Sequence, residues 1–579
     1  MDFLKALAHD HPRTLATILF LVSAALILVL GVQGIEHANP NNFRDQAVQI
    51  PVIESYADAS LFPGDFMLEV RASYVTLFYP ALGIMSRVVS LEPLMLALYV
   101  LASAATLAGV YALTVAIFHE PLAGMVAALL WMAYWPNPGG DFIHSPFVTH
   151  TTFAAALQVW ALVLFFRRRP LLAAVVLGVA ANINAMTSFF VAVMWGMALL
   201  VDPQRSFKQI VRIYALLLVF ALPVLLWRMT LPFTEASLDE FVDIVRLRLW
   251  YAVFPFSFSL LLWAGFGAML VLWRVSWRFG RPAQHRQILA MAGGIALLCA
   301  IGIVFAEIIP VEFIIELQLV RSTWLINLLI LVYVARMIAH LLDSTGAWRR
   351  SIALALVMAF VLPRLAIEFF PPDQPTPYPL MIDLDTPWID AHGALVALIL
   401  AAALVVLLWA VYVLRRGTLA GSRLAWTLGW FATSLVGLAL PAFIPAALPV
   451  AQQRATGDWR AALVWIEANT APDAYFLTPP QYDGFRMVAR RGYVGDWKDG
   501  TVGIFHNGWA IEWYERMLDL GFDPDAFAFA SMTQAHLCDA ATRYGVSHVV
   551  TLREWDIRGE TAYENGTFVV IPVEGLACG

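Results

Sequence analysis

Residues 93–118 read Pro93-Leu-Met-Leu-Ala-Leu-Tyr-Val-Leu-Ala-Ser-Ala-Ala-Thr-Leu-Ala-Gly-Val-Tyr-Ala-Leu-Thr-Val-Ala-Ile-Phe118, with no charged side chain. About 20 such residues in a helix cross the hydrocarbon core of a bilayer. A segment placed there must satisfy its backbone polar groups internally, which selects a helix over an open strand. Similar runs recur at 14–34, 121–137, 151–166, 170–184, 186–201, 209–229, 254–273, 287–306, 322–340, 351–369, 393–414 and 425–447. The fold class expected is therefore mainly α, a polytopic helical membrane protein with about 13 transmembrane helices. Composition agrees: 60% of the chain is hydrophobic, 13% is charged, and mean hydropathy is +0.72. A soluble domain carries about twice that share of charge. The net charge of −6 and the lack of any Lys/Arg block exclude nucleic acid as a partner.

Orientation follows from the short basic loops. Lys5 with Arg13, Arg167 to Arg169, Arg205 with Lys208, Arg274 to Arg286, Arg349 with Arg350, and Arg415, Arg416 and Arg423 all fall on one side of a 13-span chain. That side is read as cytoplasmic, as is the N-terminus, with 14–34 an uncleaved anchor in the inner (plasma) membrane. Loops 35–92, 138–150, 230–253, 307–321 and 370–392, and the tail from 450, fall outside. Residues 73–90 are apolar enough to span, but a fourteenth span would put Arg167–Arg169 outside. They are read as a re-entrant or interfacial helix of the first external loop.

The chain divides into a membrane domain, 1–450, and an extracytoplasmic α/β domain, 451–579. In the latter, Trp459, Leu463 and Ile466 mark one face of a helix. Residues 474–477, 547–552 and 567–573 read as strands, and 508–520 and 533–544 as helices. Cys538 and Cys578 share this small domain outside the cytoplasm, where disulfides persist, and are expected to pair. Cys299 lies in an apolar run.

No Walker loop, dinucleotide-binding glycine fingerprint, HExxH or CxxC is present. The ionisable groups of interest lie in the external loops. Asn41-Asn-Phe-Arg-Asp45-Gln46-Ala-Val-Gln49-Ile-Pro51 carries Asp45, which could act as a base, bind a metal or polarise an acceptor, or be an ordinary solvated aspartate. Asp65, after Pro63-Gly64, reads as a turn residue. Pro138-Gly-Gly-Asp141-Phe-Ile-His144-Ser-Pro146 places Asp141 and His144 in one loop, fit to ligate a divalent ion or shuttle a proton, or only to turn the chain. In Glu316-Leu-Gln318-Leu-Val-Arg321-Ser-Thr-Trp324, Arg321 either snorkels to the interface or, facing the bundle, grips a lipid-linked phosphate bidentately. Gln318 precedes it by three residues, a spacing that shares a helical face. Arg490-Arg-Gly-Tyr-Val-Gly-Asp496-Trp497-Lys498-Asp499-Gly500 reads either as a sugar- or pyrophosphate-recognising stretch or as a solvated turn with local salt bridges.

Together these elements resemble the GT-C superfamily of membrane glycosyltransferases, which includes oligosaccharyltransferase catalytic subunits, protein mannosyltransferases and aminoarabinose transferases. The shared plan is a cytoplasmic N-terminus, a long first external loop with an essential carboxylate, a second acidic loop two spans later, and often a soluble C-terminal domain. Asp458-Trp-Arg-Ala-Ala-Leu-Val-Trp-Ile-Glu-Ala-Asn-Thr-Ala-Pro472, Tyr544-Gly-Val-Ser-His-Val-Val550 and Tyr563-Glu-Asn-Gly-Thr567 look like parts of the oligosaccharyltransferase soluble domain. Phe476 to Pro480, with Asp496 to Asp499, also resembles an uncharacterised bacterial membrane-protein family near GT-C. The acceptor-sequon string Trp-Trp-Asp is missing, and neither Asp45 nor Asp141 has a paired acid.

The resemblance implies transfer of a sugar from a polyprenyl-phosphate-linked donor to an acceptor at the external membrane face. Asp45 and Asp141 would be the catalytic carboxylates, and Arg321, with Gln318 and His144, would bind the lipid phosphate. A divalent metal (Mg or Mn) on Asp45 and Asp141 is a further expectation. The competing readings are a non-catalytic polyprenyl-lipid or glycan-binding protein and a transporter. Few intramembrane charges and no paired broken helices count against the transporter. The Asn182-Ile-Asn184 break reads as a short external turn.

Overall fold

A computed structural model describes residues 45–131, 137–139, 149–231, 236–258, 260–344, 349–353, 355–357, 360 and 450–578. The expected spans 14–34, 393–414 and 425–447, most of 351–369, the loop 370–392, and Asp141 and His144 lie outside the described residues. Among the described residues four helices are long and apolar enough to cross a membrane: Leu91–Phe118, Phe207–Thr230, His285–Ile308 and Glu312–Asp343. The shorter apolar helices Pro121–Trp131, His150–Phe166, Pro170–Ala181 and Ala185–Leu200 pack with them.

Burial distinguishes their positions. The most apolar stretch of Glu312–Asp343 is 89% buried and that of Phe207–Thr230 only 22%. The first is a central helix, whereas the second turns Val219, Leu226 and Met229 outward. Small residues set the close approaches. A Cβ on Gly109 would lie 2.8 Å from Val159 Cγ1, and one on Gly178 would lie 2.7 Å from the Leu217 carbonyl. Such contacts substitute for a hydrophobic driving force that lipid cannot supply. Pro223, inside Phe207–Thr230, removes a backbone donor. Asn182 reinforces this region of the helix from a neighbour: its Nδ2 donates to the Phe220 carbonyl at 2.7 Å, and its Oδ1 accepts from Val224 N at 3.2 Å.

The long first loop is built of short helices, Gln46–Ala57, Phe66–Glu69 and Phe78–Ser86. The last, nine residues long, rises about 13 Å, less than half of a roughly 30 Å core. Val88 is 88% exposed just beyond it. The first and last of these helices pack tightly, since a Cβ on Gly83 would meet the Ile53 carbonyl at 2.8 Å. The turn 182–184 receives the loop: Leu77 N donates to Asn182 O at 2.8 Å, and Thr76 Oγ1 to Ile183 O at 2.6 Å.

After helix Val450–Asn469, the chain forms a five-stranded sheet in the order β2-β1-β5-β7-β6. The strands are β1 (Tyr475–Leu477), β2 (Gly492–Tyr493), β5 (His548–Leu552), β6 (Tyr563–Glu564) and β7 (Phe568–Pro572). β1 runs parallel to β2 and β5, in register Phe476 with Tyr493 and His548. β7 runs antiparallel to β5 and β6. Trp459, Leu463 and Ile466 of the 450–469 helix are buried with Phe476, Phe485 and Phe568. Helices Asn507–Asp519 and Gln534–Tyr544 and a small hairpin, β3 (Phe522–Asp523) with β4 (Ala528–Phe529), complete the region. Cys538 and Cys578 are joined in a disulfide, their Cα atoms 5.7 Å apart.

This region interlocks with the first loop. Trp509 stacks on Phe66 with ring centroids 4.8 Å apart and donates its Nε1 hydrogen to the Phe66 carbonyl. The Arg516 guanidinium lies over the Phe66 ring, 3.6 Å from its centroid. Each buried aromatic contributes roughly 1.5–3 kcal/mol relative to exposure, so two of them anchor the junction firmly.

Candidate functional site

Asp45 caps the Gln46–Ala57 helix with its backbone carbonyl, which accepts from Gln49 N at 2.9 Å. Its side chain makes no capping bond. The carboxylate instead accepts a hydrogen bond from Lys498 Nζ at 2.8 Å, across 453 residues of chain. The Asp45 side chain is 49% exposed and that of Lys498 20%. Burial still acts on the Asp45 carboxyl as its strongest influence, pushing it up, but the Lys498 ammonium, then Arg321 and His150, outweigh it and hold Asp45 below the ordinary carboxylate value. The carboxylate is half-exposed and stands among charged and aromatic groups. There the group is ionised.

Lys498 is held by its two neighbours. The Trp497 carbonyl accepts from Arg248 Nε at 2.8 Å, and Trp497 N donates to Pro480 O at 2.9 Å. On the other side, Asp499 takes both terminal nitrogens of Arg486, at 2.7 and 2.9 Å. Arg486 Nε donates to Asp65 Oδ2 at 2.6 Å. The loop closes on itself: Asp499 N donates to Asp496 Oδ1 at 2.9 Å, and Asp496 N donates to Asp499 Oδ2 at 3.3 Å. Gly500 is required here, because a Cβ would lie 2.4 Å from the Trp513 ring. Gly495 is required for its φ of +131°.

Arg486, Asp65, Asp496 and Asp499 are all 2% exposed or less. One guanidinium therefore faces three carboxyls away from water. Burial pulls Arg486 down, but Asp499 and Asp65 reverse this, and it stays a cation. Burial pushes Asp496 well above the usual carboxylate range, with the Asp499 charge adding to it. Its carboxyl also bonds the Tyr493 hydroxyl. Burial raises Asp65 as well, with Arg486 opposing. The 490–500 stretch is thus neither a solvated turn nor an open recognition loop. Asp65 does start a turn, accepting from Leu68 N at 3.2 Å, but its second oxygen serves the distant arginine.

Around Asp45 stand Tyr74, Tyr79 and His150. Tyr79 Oη and His150 Nδ1 are 2.8 Å apart, and the Tyr74 and Tyr79 rings meet edge to face at 5.7 Å. Burial, followed by the Asp45 and Asp499 charges, raises the Tyr74 phenol, which stays protonated. Arg321 Nη1 donates to Gln318 Oε1 at 2.6 Å. The two do not share a regular helix. Gln318 is left-handed, with φ 45°, and a short 3₁₀ turn, Leu319–Ser322, leads into the Thr323–Asp343 helix. Pro138 and Gly139 are clamped to this turn: Thr323 Oγ1 donates to Pro138 O, and a Cβ on Gly139 would lie 2.8 Å from Arg321 N.

The site thus gathers Asp45, Lys498, His150, Tyr74 and Tyr79, with Arg321 and Gln318 at the mouth of the central helix. Asp141 follows the clamped Pro138-Gly139 but, like His144, lies outside the described residues. The metal expectation pairs Asp45 with Asp141, which lies outside the described residues. No group of three His, Cys, Asp or Glu comes together among them, and Asp45 already faces an ammonium and, more distantly, a guanidinium. Mg and Mn require several oxygen ligands. A carboxylate beside fixed cations is suited to orienting a hydroxyl next to a bound anion.

Sequence reasoning missed His150 and Tyr79 and left Lys498 as one member of an ambiguous stretch. No local pattern marks them, since their partners are 71 and 453 residues away. Residues 457–520, which include Arg486, Asp496, Lys498 and Asp499, match a family model described as a domain of unknown function, DUF6798. No curated protein matches the chain. Among solved structures the chain is similar to ArnT from Cupriavidus metallidurans in the apo state, at 14% identity and a TM-score of 0.47, over 97% of this chain and 98% of that one. It is also similar to the same protein bound to undecaprenyl phosphate, at 13% identity and a TM-score of 0.48, over 96% and 98%.

Proposed function

We propose that this chain is a GT-C-type membrane glycosyltransferase that moves a sugar from a polyprenyl-phosphate donor to an acceptor at the extracytoplasmic face. One observation carries the reading: an ionised, half-exposed Asp45, with the Lys498 ammonium 2.8 Å away and Arg321 near enough to act on it.

In this reading Arg321, steadied by Gln318, holds the donor phosphate. Asp45 accepts a hydrogen bond from the acceptor hydroxyl and aims it at the anomeric carbon. The new C–O bond forms as the bond from the anomeric carbon to the phosphate oxygen breaks, and the electron pair leaves with the phosphate. The acceptor proton passes by way of Asp45 to the released lipid phosphate. The lowered pKa of Asp45 makes it a weak base, so orientation and electrostatics are its main contribution. Asp141 and His144 are proposed to assist from the second loop.

Asp45→Asn tests the assignment in a transfer assay on membranes containing polyprenyl-phosphate sugars. Transfer falls at least 100-fold while donor binding persists. Full transfer by that variant rejects the role of Asp45.

A further inference from the structure

Three consecutive residues of the C-terminal region each engage a different part of the rest of the chain. Trp497 receives Arg248 of the Leu238–Val253 helix on its carbonyl, Lys498 reaches Asp45, and Asp499 is tied through Arg486 to Asp65. The Asp499 anchor is buried and the Trp497 anchor part-buried. Lys498, between them, is partly exposed.

An ordinary exposed ion pair does not call for this arrangement, because holding a flexible lysine costs side-chain entropy that such a pair barely repays. Here the backbone on both sides of Lys498 is fixed by hydrogen bonds, part-buried at Trp497 and buried at Asp499, so its position is set in advance. Burial and the nearby Arg248 charge oppose the ammonium, and Asp45 outweighs them. Arg248 is 9% exposed, bonds the Trp497 carbonyl and, among the described residues, has no carboxylate partner. Two cations, Lys498 and Arg248, thus flank Trp497 with Asp45 as the carboxylate that Lys498 reaches.

We infer that Lys498 is a donor-phosphate-binding residue supplied by the C-terminal domain, resting on Asp45 when no phosphate is bound. This rests on the glycosyltransferase reading and deepens it by giving the soluble domain a part in the reaction. When the donor enters, its phosphodiester anion takes one of the three ammonium hydrogens. As the sugar leaves, the phosphate gains the electron pair of the broken bond, and Lys498 bears against that growing charge. The Asp45 oxygen released from the lysine turns to the acceptor hydroxyl. Domain and substrate are thereby linked: a chain whose tail is unseated keeps Asp45 and Arg321 but loses one of the phosphate contacts.

The test measures binding of undecaprenyl phosphate, used as the probe, to the full chain in nanodiscs by native mass spectrometry. Wild type, Lys498→Met, Lys498→Arg and Asp45→Asn are compared. Lys498→Met binds at least 10-fold more weakly, Lys498→Arg stays within about 3-fold of wild type because charge is retained, and Asp45→Asn binds at least as well as wild type. Melting temperatures of the Lys498 variants within a few degrees of wild type separate lost contact from lost fold. Equal binding by wild type and Lys498→Met overturns the inference and leaves the glycosyltransferase reading intact. No binding by wild type overturns both.

Discussion

Arg486 and Asp65 stand 421 residues apart in the chain and 2.6 Å apart in space, both wholly buried. This contact joins the long segment before the Leu91–Phe118 helix to the C-terminal region, and Asp499 completes it. The seat of Lys498 therefore depends on residues at both ends of the described chain.

Removing one member of a buried ion pair costs about 3–5 kcal/mol, because the remaining charge loses its partner. Arg486→Met and Asp499→Asn should each destabilise the protein by that amount in thermal melts, and weaken transfer by displacing Lys498. Asp496→Asn should behave differently. Asp496 is pushed toward its neutral form, so a neutral amide of the same shape replaces it at a cost of no more than about 1 kcal/mol.

The pH dependence of that difference has a definite sign. The folded-state pKa values of Asp496 and Asp65 are raised, so the folded state binds more protons than the unfolded state above the unfolded value. Their contribution is fully present below the ordinary carboxylate range and is lost as pH rises through the folded value. Asp496→Asn should therefore melt progressively higher relative to wild type from pH 4 to pH 8. A constant offset across that window contradicts the assignment.

Asp45 titrates in the opposite sense. Its pKa is depressed below the ordinary 3.8, so its ionised form is retained above that value and lost as pH falls. The acid limb of the transfer rate in wild type should lie below pH about 4. In Lys498→Met the raising effect of burial loses its strongest opponent, and the limb should move up into the measured range. A purely structural lysine would lower the rate without moving the limb.

Gly500→Ala should cost about 1–3 kcal/mol through overpacking, since the added carbon meets the Trp513 ring at 2.4 Å. Because Gly500 follows Asp499, the same substitution should weaken donor binding. Donor affinity equal to wild type at reduced stability would separate the loop from the site.

Much of the architecture was legible because it depends on local patterns. The helical spans announce themselves as uncharged runs, and the 450–469 helix by Trp459, Leu463 and Ile466 at helical spacing. The tail strands read as short β-rich runs between turns. Asp45 was legible as an isolated loop carboxylate, and Arg321 with Gln318 as a pair three residues apart, although a left-handed residue and a 3₁₀ turn, not a regular helix, bring their side chains together. Lys498, Arg486 and Asp65 were not legible as a unit. Each looks like a surface charge in its own window, and only tertiary packing removes them from water and from their neighbours in sequence.

The central claim is that a polyprenyl-phosphate sugar occupies this site. Mass spectrometry of lipids co-purified with wild type and with Arg321→Ala tests it most directly. The account predicts a polyprenyl-phosphate sugar with wild type and its loss with Arg321→Ala. A wild-type protein that carries no polyprenyl lipid, and takes none up when supplied, would contradict it.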